Sequence, residues 1–251
     1  MTQIHHLTTD QGRKLAYRQT KGTGPGVVFL GGFKSDMEGS KAAYLHDWAA
    51  AQGRGFLRFD YSGHGASSGR FEDGCIGDWL ADATAMIAQR TVGPQILVGS
   101  SMGGWIATLI ARANPGQVAG LVGIAAVPDF TEDIWHDLSP AQRVSLASNG
   151  QVALPSEYGE PYVITQRLID DGRTHLVLRS PLNLPFPVRF LQGTADADVP
   201  VSVALRLFEH AASPDSRLVL VKGADHRFST PDCLAMIAET IGQIGLGGNH
   251  A

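Results

Sequence analysis

The sequence predicts an α/β fold, in which a mostly parallel central sheet is flanked by helices and carries a small inserted cap, within a single domain spanning residues 1–251. Two observations predict this class. First, short apolar runs typical of buried strands alternate with helical segments along most of the chain, and such alternation builds a parallel sheet covered on both faces. Second, a sharp glycine-flanked turn, Gly99-Ser100-Ser101-Met102-Gly103, lies between one of these strands and the helix after it.

Apolar runs and helical periodicity predict the individual elements. The predicted strands are 14–19, 27–30, 55–60, 96–98, 118–125, 188–192 and 217–221. The predicted helices are 39–52, 76–90, 105–111, 140–147, 162–171, 201–212 and 231–244. Residues 128–184 interrupt the alternation. They are therefore predicted to form a cap inserted over the carboxyl edge of the sheet, where ligands bind in such folds.

Composition excludes several classes of protein. A hydrophobic content of 43% and a charged content of 18% are typical of a globular protein with a large core. The net charge of −4, without a Lys/Arg cluster, disfavours a nucleic-acid partner. Cys75 and Cys233 fit no metal or redox spacing and predict reduced thiols. No metal or organic cofactor is predicted, because the sequence has no metal-ligand spacing, dinucleotide fingerprint or phosphate loop.

The N-terminal residues indicate where the protein resides. They have neither a secretory signal nor an Arg-rich transit pattern, and no apolar stretch reaches the roughly 18 residues that span a bilayer. We therefore expect a cytoplasmic protein without a membrane span. His5 and His6 are interpreted as part of a solvated tail.

The turn around Ser101 has the spacing G-x-S-x-G of a nucleophile elbow. Glycines are needed on both sides because the turn is too tight for side chains. Such a turn lifts the serine hydroxyl clear of the sheet and aims the start of the next helix at a reacting carbonyl. The alternative interpretation is a glycine-rich turn with an incidental serine.

A serine nucleophile needs a histidine base that is oriented by an acid, and in this fold both follow the serine on loops after late strands. His226 is the histidine that follows the last predicted strand, whereas His64 lies upstream and is interpreted as a structural or site-rim residue. Asp196 is the preferred acid, because the pattern Asp-x-x-Val-Pro leads directly into a helix. Asp198 and Asp129 remain alternatives for this role.

Acyl transfer also needs two backbone N–H groups that stabilise the oxyanion. One is predicted to come from Met102, the residue after the nucleophile. The other is predicted to come from Phe33, in the loop that follows strand 27–30. Gly31 and Gly32 would let this loop approach the substrate closely, and they also fit a simple tight exit from the strand.

These residues resemble the α/β-hydrolase superfamily over almost the whole chain, and within it they are similar to the group of acyl-protein thioesterases and acyl-glucuronide esterases. The shared motifs are Gly32–Met37, Gly39–Ala42, Arg58–Gly63, Gln95–Trp105, Leu154–Tyr158 and Asp225–Arg227. The resemblance implies a serine hydrolase of S-acyl thioesters or acyl-glucuronide esters, with Ser101, Asp196 and His226 as its triad. Gly31 departs from the pattern, because many superfamily members have histidine there.

The predicted partner is a small-molecule ester or acyl-thioester substrate, with an S-acylated protein as a further candidate. Seven apolar or aromatic residues are predicted to line an acyl pocket or, alternatively, to form the cap's own core: Ile134, Trp135, Leu138, Leu154, Tyr158, Tyr162 and Ile164. Four basic residues are predicted to contact a substrate carboxylate or, alternatively, to form a solvated face: Arg167, Arg173, His175 and Arg179. A non-catalytic ligand-binding member of the fold is the alternative function. Dehalogenase, epoxide hydrolase and dienelactone hydrolase chemistry is disfavoured, because it needs a carboxylate or a cysteine at position 101.

Overall fold

The computed structural model describes residues 3–155 and 161–246. Its strands are β1 (His5–Thr8), β2 (Lys14–Thr20), β3 (Thr23–Leu30), β4 (Arg54–Phe59), β5 (Gln95–Ser100), β6 (Val118–Ile124), β7 (Gln151–Leu154), β8 (Tyr162–Thr165), β9 (Leu182–Asn183), β10 (Val188–Gly193), β11 (Ala211–Ala212) and β12 (Ser216–Val221). Its helices are α1 (Ser40–Ala51), α2 (Ile76–Arg90), α3 (Met102–Ala113), α4 (Phe130–Asp137), α5 (Pro140–Asn149), α6 (Gln166–Thr174), α7 (Val201–His210) and α8 (Pro231–Leu246).

The central sheet has the strand order β1-β2-β4-β3-β5-β6-β10-β12 within the described part of the chain. The pairs β1–β2 and β2–β4 are antiparallel, and the remaining neighbours are parallel. The predicted α/β class with a mostly parallel sheet is confirmed. In this order β5, which ends at the glycine-rich turn, lies between β3 and β6 near the middle of the sheet.

Successive side chains of the buried strands point to opposite faces, where each meets a separate apolar core. Val98 of β5 belongs to the core that contains Leu45 of α1 and Ile241 of α8. Its neighbour Leu97 belongs to the core that contains Trp105 of α3. The strands are therefore apolar on both faces, as the continuous runs in the sequence predict.

Two predicted elements differ from the structure. His5 and His6 are exposed to solvent, as predicted, but they are not a tail, because they lie in β1 and pair with Tyr17 and Ala16 of β2. The predicted helix 162–171 begins as strand β8, which pairs with β7, and becomes helical only at α6. The change occurs at Thr165, whose side chain accepts a hydrogen bond from the amide of the third helical residue and so starts the helix.

The segment between β6 and β10 contains α4, α5, the β7–β8 hairpin and α6. It is fastened to the rest of the fold by specific hydrogen bonds. The carboxylate of Asp171 in α6 accepts from the amide of Gly77 in α2 at 2.7 Å, and Arg112 of α3 donates to the carbonyl of Leu176 at 2.9 Å. That 128–184 forms a cap within one domain stays a prediction. Residues 156–158 of the motif Leu154–Tyr158 lie outside the described residues.

Among residues 3–155 and 161–246, no helix has the length and hydropathy needed to cross a membrane.

Gly103 sets how closely α3 approaches β3, and its replacement tests this packing. A Cβ atom at Gly103 would overlap the carbonyl oxygen of Leu30. We expect Gly103→Ala to lower the free energy of unfolding by about 1–3 kcal/mol, because backbone rather than a flexible side chain must shift. Chemical denaturation measures the change. Gly116→Ala is the matched control, because a Cβ there meets no atom within 4 Å. Equal stability of the two variants would contradict the packing argument.

Candidate active site

Ser101 lies at the end of β5 in a strained backbone conformation, with φ 54° and ψ −121°. Its amide donates to the carbonyl of Ile124 at 2.9 Å, and its carbonyl accepts from the amide of Gly104 at 2.9 Å. A side chain at Gly99 would overlap the carbonyl of Gly103. The glycines therefore permit the turn, and its hydrogen bonds hold the serine side chain at the carboxyl edge of the sheet.

His226 and Asp196 meet Ser101 from two other loops at this edge. His226 follows β12, and its Nε2 lies 3.2 Å from the Oγ of Ser101. Its Nδ1 lies 2.9 Å from Oδ2 of Asp196, which follows β10. The side chain of His226 is 18% exposed and that of Asp196 is 1% exposed. The alcohol, imidazole and carboxylate thus form one continuous hydrogen-bonded series.

The carboxylate of Asp196 is held by several donors besides His226. Val199 and Asp198 donate their amides to Oδ1 at 2.8 and 3.0 Å, and Gln192 donates its side-chain amide to Oδ2 at 2.9 Å. Burial raises the pKa of Asp196, but the hydrogen bonds from His226, Val199 and Gln192 outweigh it and leave the pKa below its usual value. The group is therefore ionised at neutral pH and accepts the Nδ1 proton of His226.

The two alternative acids lie in different surroundings. Both carboxylate oxygens of Asp129 accept backbone amides, from Val177 at 2.8 Å and Leu178 at 3.0 Å, so this group fastens the inserted segment. Asp198 is exposed, and its carboxylate lies near Asp196 and His226, where the three groups have ligand atoms within 4.8 Å of one another. A metal ion bound there would compete with the Asp196–His226 hydrogen bond.

The loop after β3 passes directly beside the nucleophile. A Cβ built on Gly32 would lie 3.4 Å from the Cβ of Ser101, which is van der Waals contact and shows how close the two segments are. Phe33 follows in this loop, and Met102 is the first residue of α3, where helical amides have no partner within the helix. Both line the same cavity as Ser101. Their positions are consistent with the predicted oxyanion donors.

Two residues that were not among the predicted site residues support the series. Gln192, at the end of β10, donates to Asp196 as described above. Lys41 of α1 donates its Nζ to the carbonyl of Arg227 at 2.5 Å, which fastens the residue after His226. Burial lowers the pKa of Lys41 to about 8, against the opposing effect of Asp225. Lys41 lies in a motif quoted for the family resemblance, but its partner is 186 residues away in the sequence.

A cavity of about 920 Å³ opens onto Ser101 and His226. Its apolar wall includes Phe33, Val127, Phe130, Ile134, Leu154, Pro155, Tyr162 and Ile164. Its charged and polar wall includes Lys34, Asp36, Lys41, Asp133, His136, Asp137, Asp198, Arg206 and Arg227. The cavity therefore offers both apolar and charged side chains to a substrate whose reacting bond lies at Ser101.

The predicted acyl-pocket residues divide into two groups. Ile134, Leu154, Tyr162 and Ile164 line the cavity. Trp135 packs instead beneath the guanidinium groups of Arg143 and Arg173, and Leu138 is buried in the core. Tyr158 lies outside the described residues.

The four residues considered for a substrate carboxylate do not line the cavity. Arg167 pairs with Asp78 at 2.7 Å, and both Arg173 and Arg179 pair with Glu132, at 2.9 and 3.5 Å. His175 follows α6 directly, and its Nδ1 donates to the carbonyl of Asp171 at 2.9 Å. The two pairs with Glu132 join parts of the inserted segment to one another, and the pair of Arg167 with Asp78 joins α6 to α2.

The fold and these residues define the class of α/β hydrolases. Residues 26–171 match the family Hydrolase_4, described as serine aminopeptidase, S33, and this chain belongs to that family. The suspected superfamily is thereby confirmed.

Particular relatives extend the similarity to nearly the whole chain. The palmitoyl-protein thioesterase ABHD10, mitochondrial, of Rattus norvegicus is 35% identical over 96% of this chain and 82% of its own length. Among solved structures, a putative hydrolase from Agrobacterium vitis S4 has a TM-score of 0.93 at 41% identity, over 97% of this chain and 98% of the other. Alpha/beta hydrolase domain-containing protein 10 from mouse has a TM-score of 0.91 at 34% identity, with the same coverage. Because the rat relative is described as mitochondrial, the cytoplasmic location of this chain stays a prediction.

The role of Asp196 is tested by Asp196→Asn. We expect kcat to fall by roughly 10³–10⁴-fold, because an amide in place of the carboxylate leaves the histidine in the wrong tautomer. Steady-state kinetics on a p-nitrophenyl ester measure the loss. Asp198→Asn is the matched control and is expected to keep kcat within about tenfold. An unchanged kcat in folded Asp196→Asn would assign the acid to another residue.

Proposed function

We propose that this chain hydrolyses carboxylic esters or acyl thioesters with Ser101 as nucleophile, His226 as base and Asp196 as the orienting acid. The observation that carries the proposal is the series of hydrogen bonds that joins these three groups at 3.2 and 2.9 Å. Ser101 and His226 both line a cavity of about 920 Å³, which supports access by a substrate. The 35% identity with the rat palmitoyl-protein thioesterase supports an acyl substrate.

In the proposed mechanism, Oγ of Ser101 attacks the substrate carbonyl while Nε2 of His226 takes the hydroxyl proton. The amides of Phe33 and Met102 donate to the oxyanion, and losing one such donor costs on the order of 10²–10³ in rate. His226 then protonates the leaving thiol or alcohol, which leaves an acyl-enzyme on Ser101. Water, deprotonated by His226, cleaves this ester and regenerates the serine. These steps require no metal or organic cofactor.

The cavity suggests how a substrate would be oriented. We assign the acyl chain to the apolar wall, because burial of its methylene groups is favourable by about 0.8 kcal/mol each. The polar leaving group would then face the charged wall. Since Ile134, Tyr162 and Ile164 come from the inserted segment, we propose that residues 128–184 act as a cap that sets acyl preference. A small-molecule thioester and an S-acylated protein both remain candidate substrates.

A fluorophosphonate probe tests the proposed nucleophile. We expect stoichiometric covalent labelling, mapped by peptide mass spectrometry to Ser101, because the probe needs an activated serine. Ser101→Ala should abolish labelling, whereas Ser100→Ala, the neighbouring serine, should retain it. Absence of labelling in folded wild-type protein would favour the alternative function, a non-catalytic ligand-binding member of the fold.

A chain-length panel tests the assignment of the apolar wall. We expect Ile134→Trp to lower kcat/KM for long-chain acyl thioesters at least tenfold more than for acetyl thioesters, because the added ring occupies space that only long chains need. Val144→Trp is the matched control, since Val144 lies on α5 and is 67% exposed. Equal losses on all chain lengths would contradict the assignment.

A further inference from the structure

His64 lies beneath the loop that supplies Phe33 and has no role in the proposed proton transfers. The residue is 4% exposed. Its Nε2 accepts a hydrogen bond from the amide of Lys34 at 3.2 Å, and its Nδ1 faces the carbonyl of Ser62 at 3.2 Å. One buried imidazole therefore joins the loop after β3 to the loop after β4.

These two partners determine the state of the ring. An amide can only donate and a carbonyl can only accept, so Nε2 must be unprotonated and Nδ1 must carry the proton. Burial lowers the pKa of His64, although the carbonyl of Ser62 and the charge of Asp82 oppose the shift. The ring is thus neutral at pH 7, and its acceptor atom stays available to the amide of Lys34.

The hydrogen bond holds a strained part of the backbone. Lys34 has a φ of 58°, in the left-handed region that residues other than glycine rarely adopt. The amide that His64 binds belongs to the peptide plane between Phe33 and Lys34, so it fixes the backbone immediately after the proposed oxyanion donor. A lysine has no intrinsic preference for the left-handed conformation, so tertiary contacts must hold it there. The hydrogen bond to His64 holds the backbone, and the contact of Nζ with the carbonyl of Pro161 at 3.4 Å holds the end of the side chain.

Aromatic packing holds His64 and Phe33 in the same cluster. The ring of Phe33 contacts Phe71 at 4.7 Å and Trp79 at 5.9 Å between centroids. The ring of His64 contacts the same two residues, at 5.1 and 5.2 Å. Trp79 also donates its indole N–H to the carbonyl of Ser62 at 3.1 Å, the same carbonyl that His64 faces. The histidine therefore has a fixed position from which to hold the loop.

We propose that His64 is a positioning residue for the oxyanion hole: its neutral imidazole accepts the amide of Lys34 and thereby aims the N–H of Phe33 at the developing oxyanion. This inference rests on the proposed function. It assigns no proton transfer to His64, and its effect is exerted through the backbone alone. In this proposal, His64 contributes to transition-state stabilisation as well as to packing.

The experiment compares His64→Gln with His64→Phe. Glutamine keeps an acceptor oxygen for the amide of Lys34 but loses the ring, whereas phenylalanine keeps the ring contacts but loses the acceptor. We expect kcat on a p-nitrophenyl ester to fall at least tenfold in His64→Phe, with KM within about threefold of wild type. The loss of rate should stay below the roughly 10²–10³-fold caused by removing an oxyanion donor, because the N–H of Phe33 is displaced and not absent. His64→Gln should stay closer to wild type than His64→Phe. A purely structural role predicts the opposite order.

Inhibitor affinity provides a second readout. An alkyl trifluoromethyl ketone adds to the serine and places an oxyanion in the hole, whereas the matched methyl ketone binds largely as a ground-state ligand. We expect His64→Phe to weaken binding of the trifluoromethyl ketone at least tenfold and binding of the methyl ketone less than threefold. Equal weakening of both ketones, or wild-type kcat in His64→Phe, would overturn the proposal.

Wild-type protein separates this proposal from the one on which it rests. If wild type neither hydrolyses esters nor labels at Ser101, the proposed function fails and the role of His64 fails with it. If wild type is active, the order of the two variants tests His64 alone. Should His64→Phe not fold, by circular dichroism and thermal melting, His64→Met replaces it, because the thioether fills the volume and is only a weak acceptor.

Discussion

The strained turn at Ser101 is the constraint on which the rest of the site depends. β5 lies in the middle of the sheet, and the amide of Ser101 is bound by the neighbouring strand at Ile124. The chain must reverse within a few residues, because α3 packs back against β5 and β3. Glycines at 99 and 103 make this reversal of the chain possible. The energetic cost of the positive φ at Ser101 is offset by the surrounding sheet. The hydroxyl of Ser101 is thus held in a fixed position at the carboxyl edge of the sheet, where the other loops of the site also lie.

Parallel topology then determines which residues can reach this point. The loops after β3, β10 and β12 emerge at the same carboxyl edge as β5, and they supply Phe33, Asp196 and His226. Hydrogen bonds between loops limit their freedom. Lys41 donates to the carbonyl of Arg227, the residue after His226. Met37, in the loop that carries Phe33, donates its amide to the carboxylate of Asp60 at 2.6 Å. A hydrolytic site of this kind is therefore a property of several loops fastened to one another, rather than of the serine motif alone.

Local patterns in the sequence account for the parts that were predicted correctly. The turn at Ser101 needs glycines at fixed spacing, and buried parallel strands need continuous apolar runs, so both leave a signature within a few residues. Contacts between distant residues leave none. The partners of Arg167 and Arg173 lie on elements far away in the sequence. The pairing of His5 with β2 and of β8 with β7 involves strands nearby in the sequence, but it is set by the partner strand rather than by the periodicity of either segment. Helical periodicity at 162–171 was misleading, because pairing with β7 favours an extended start before Thr165.

The central claim is that an acyl group is transferred to Ser101 before water releases it. The most direct test is rapid acid quenching of a single turnover with an acyl thioester, followed by intact-protein and peptide mass spectrometry. The account predicts a transient mass increase equal to the acyl group, located on the peptide that contains Ser101 and decaying at the rate of turnover. Turnover without any adduct in single-turnover samples, or an adduct on a different residue, would contradict it.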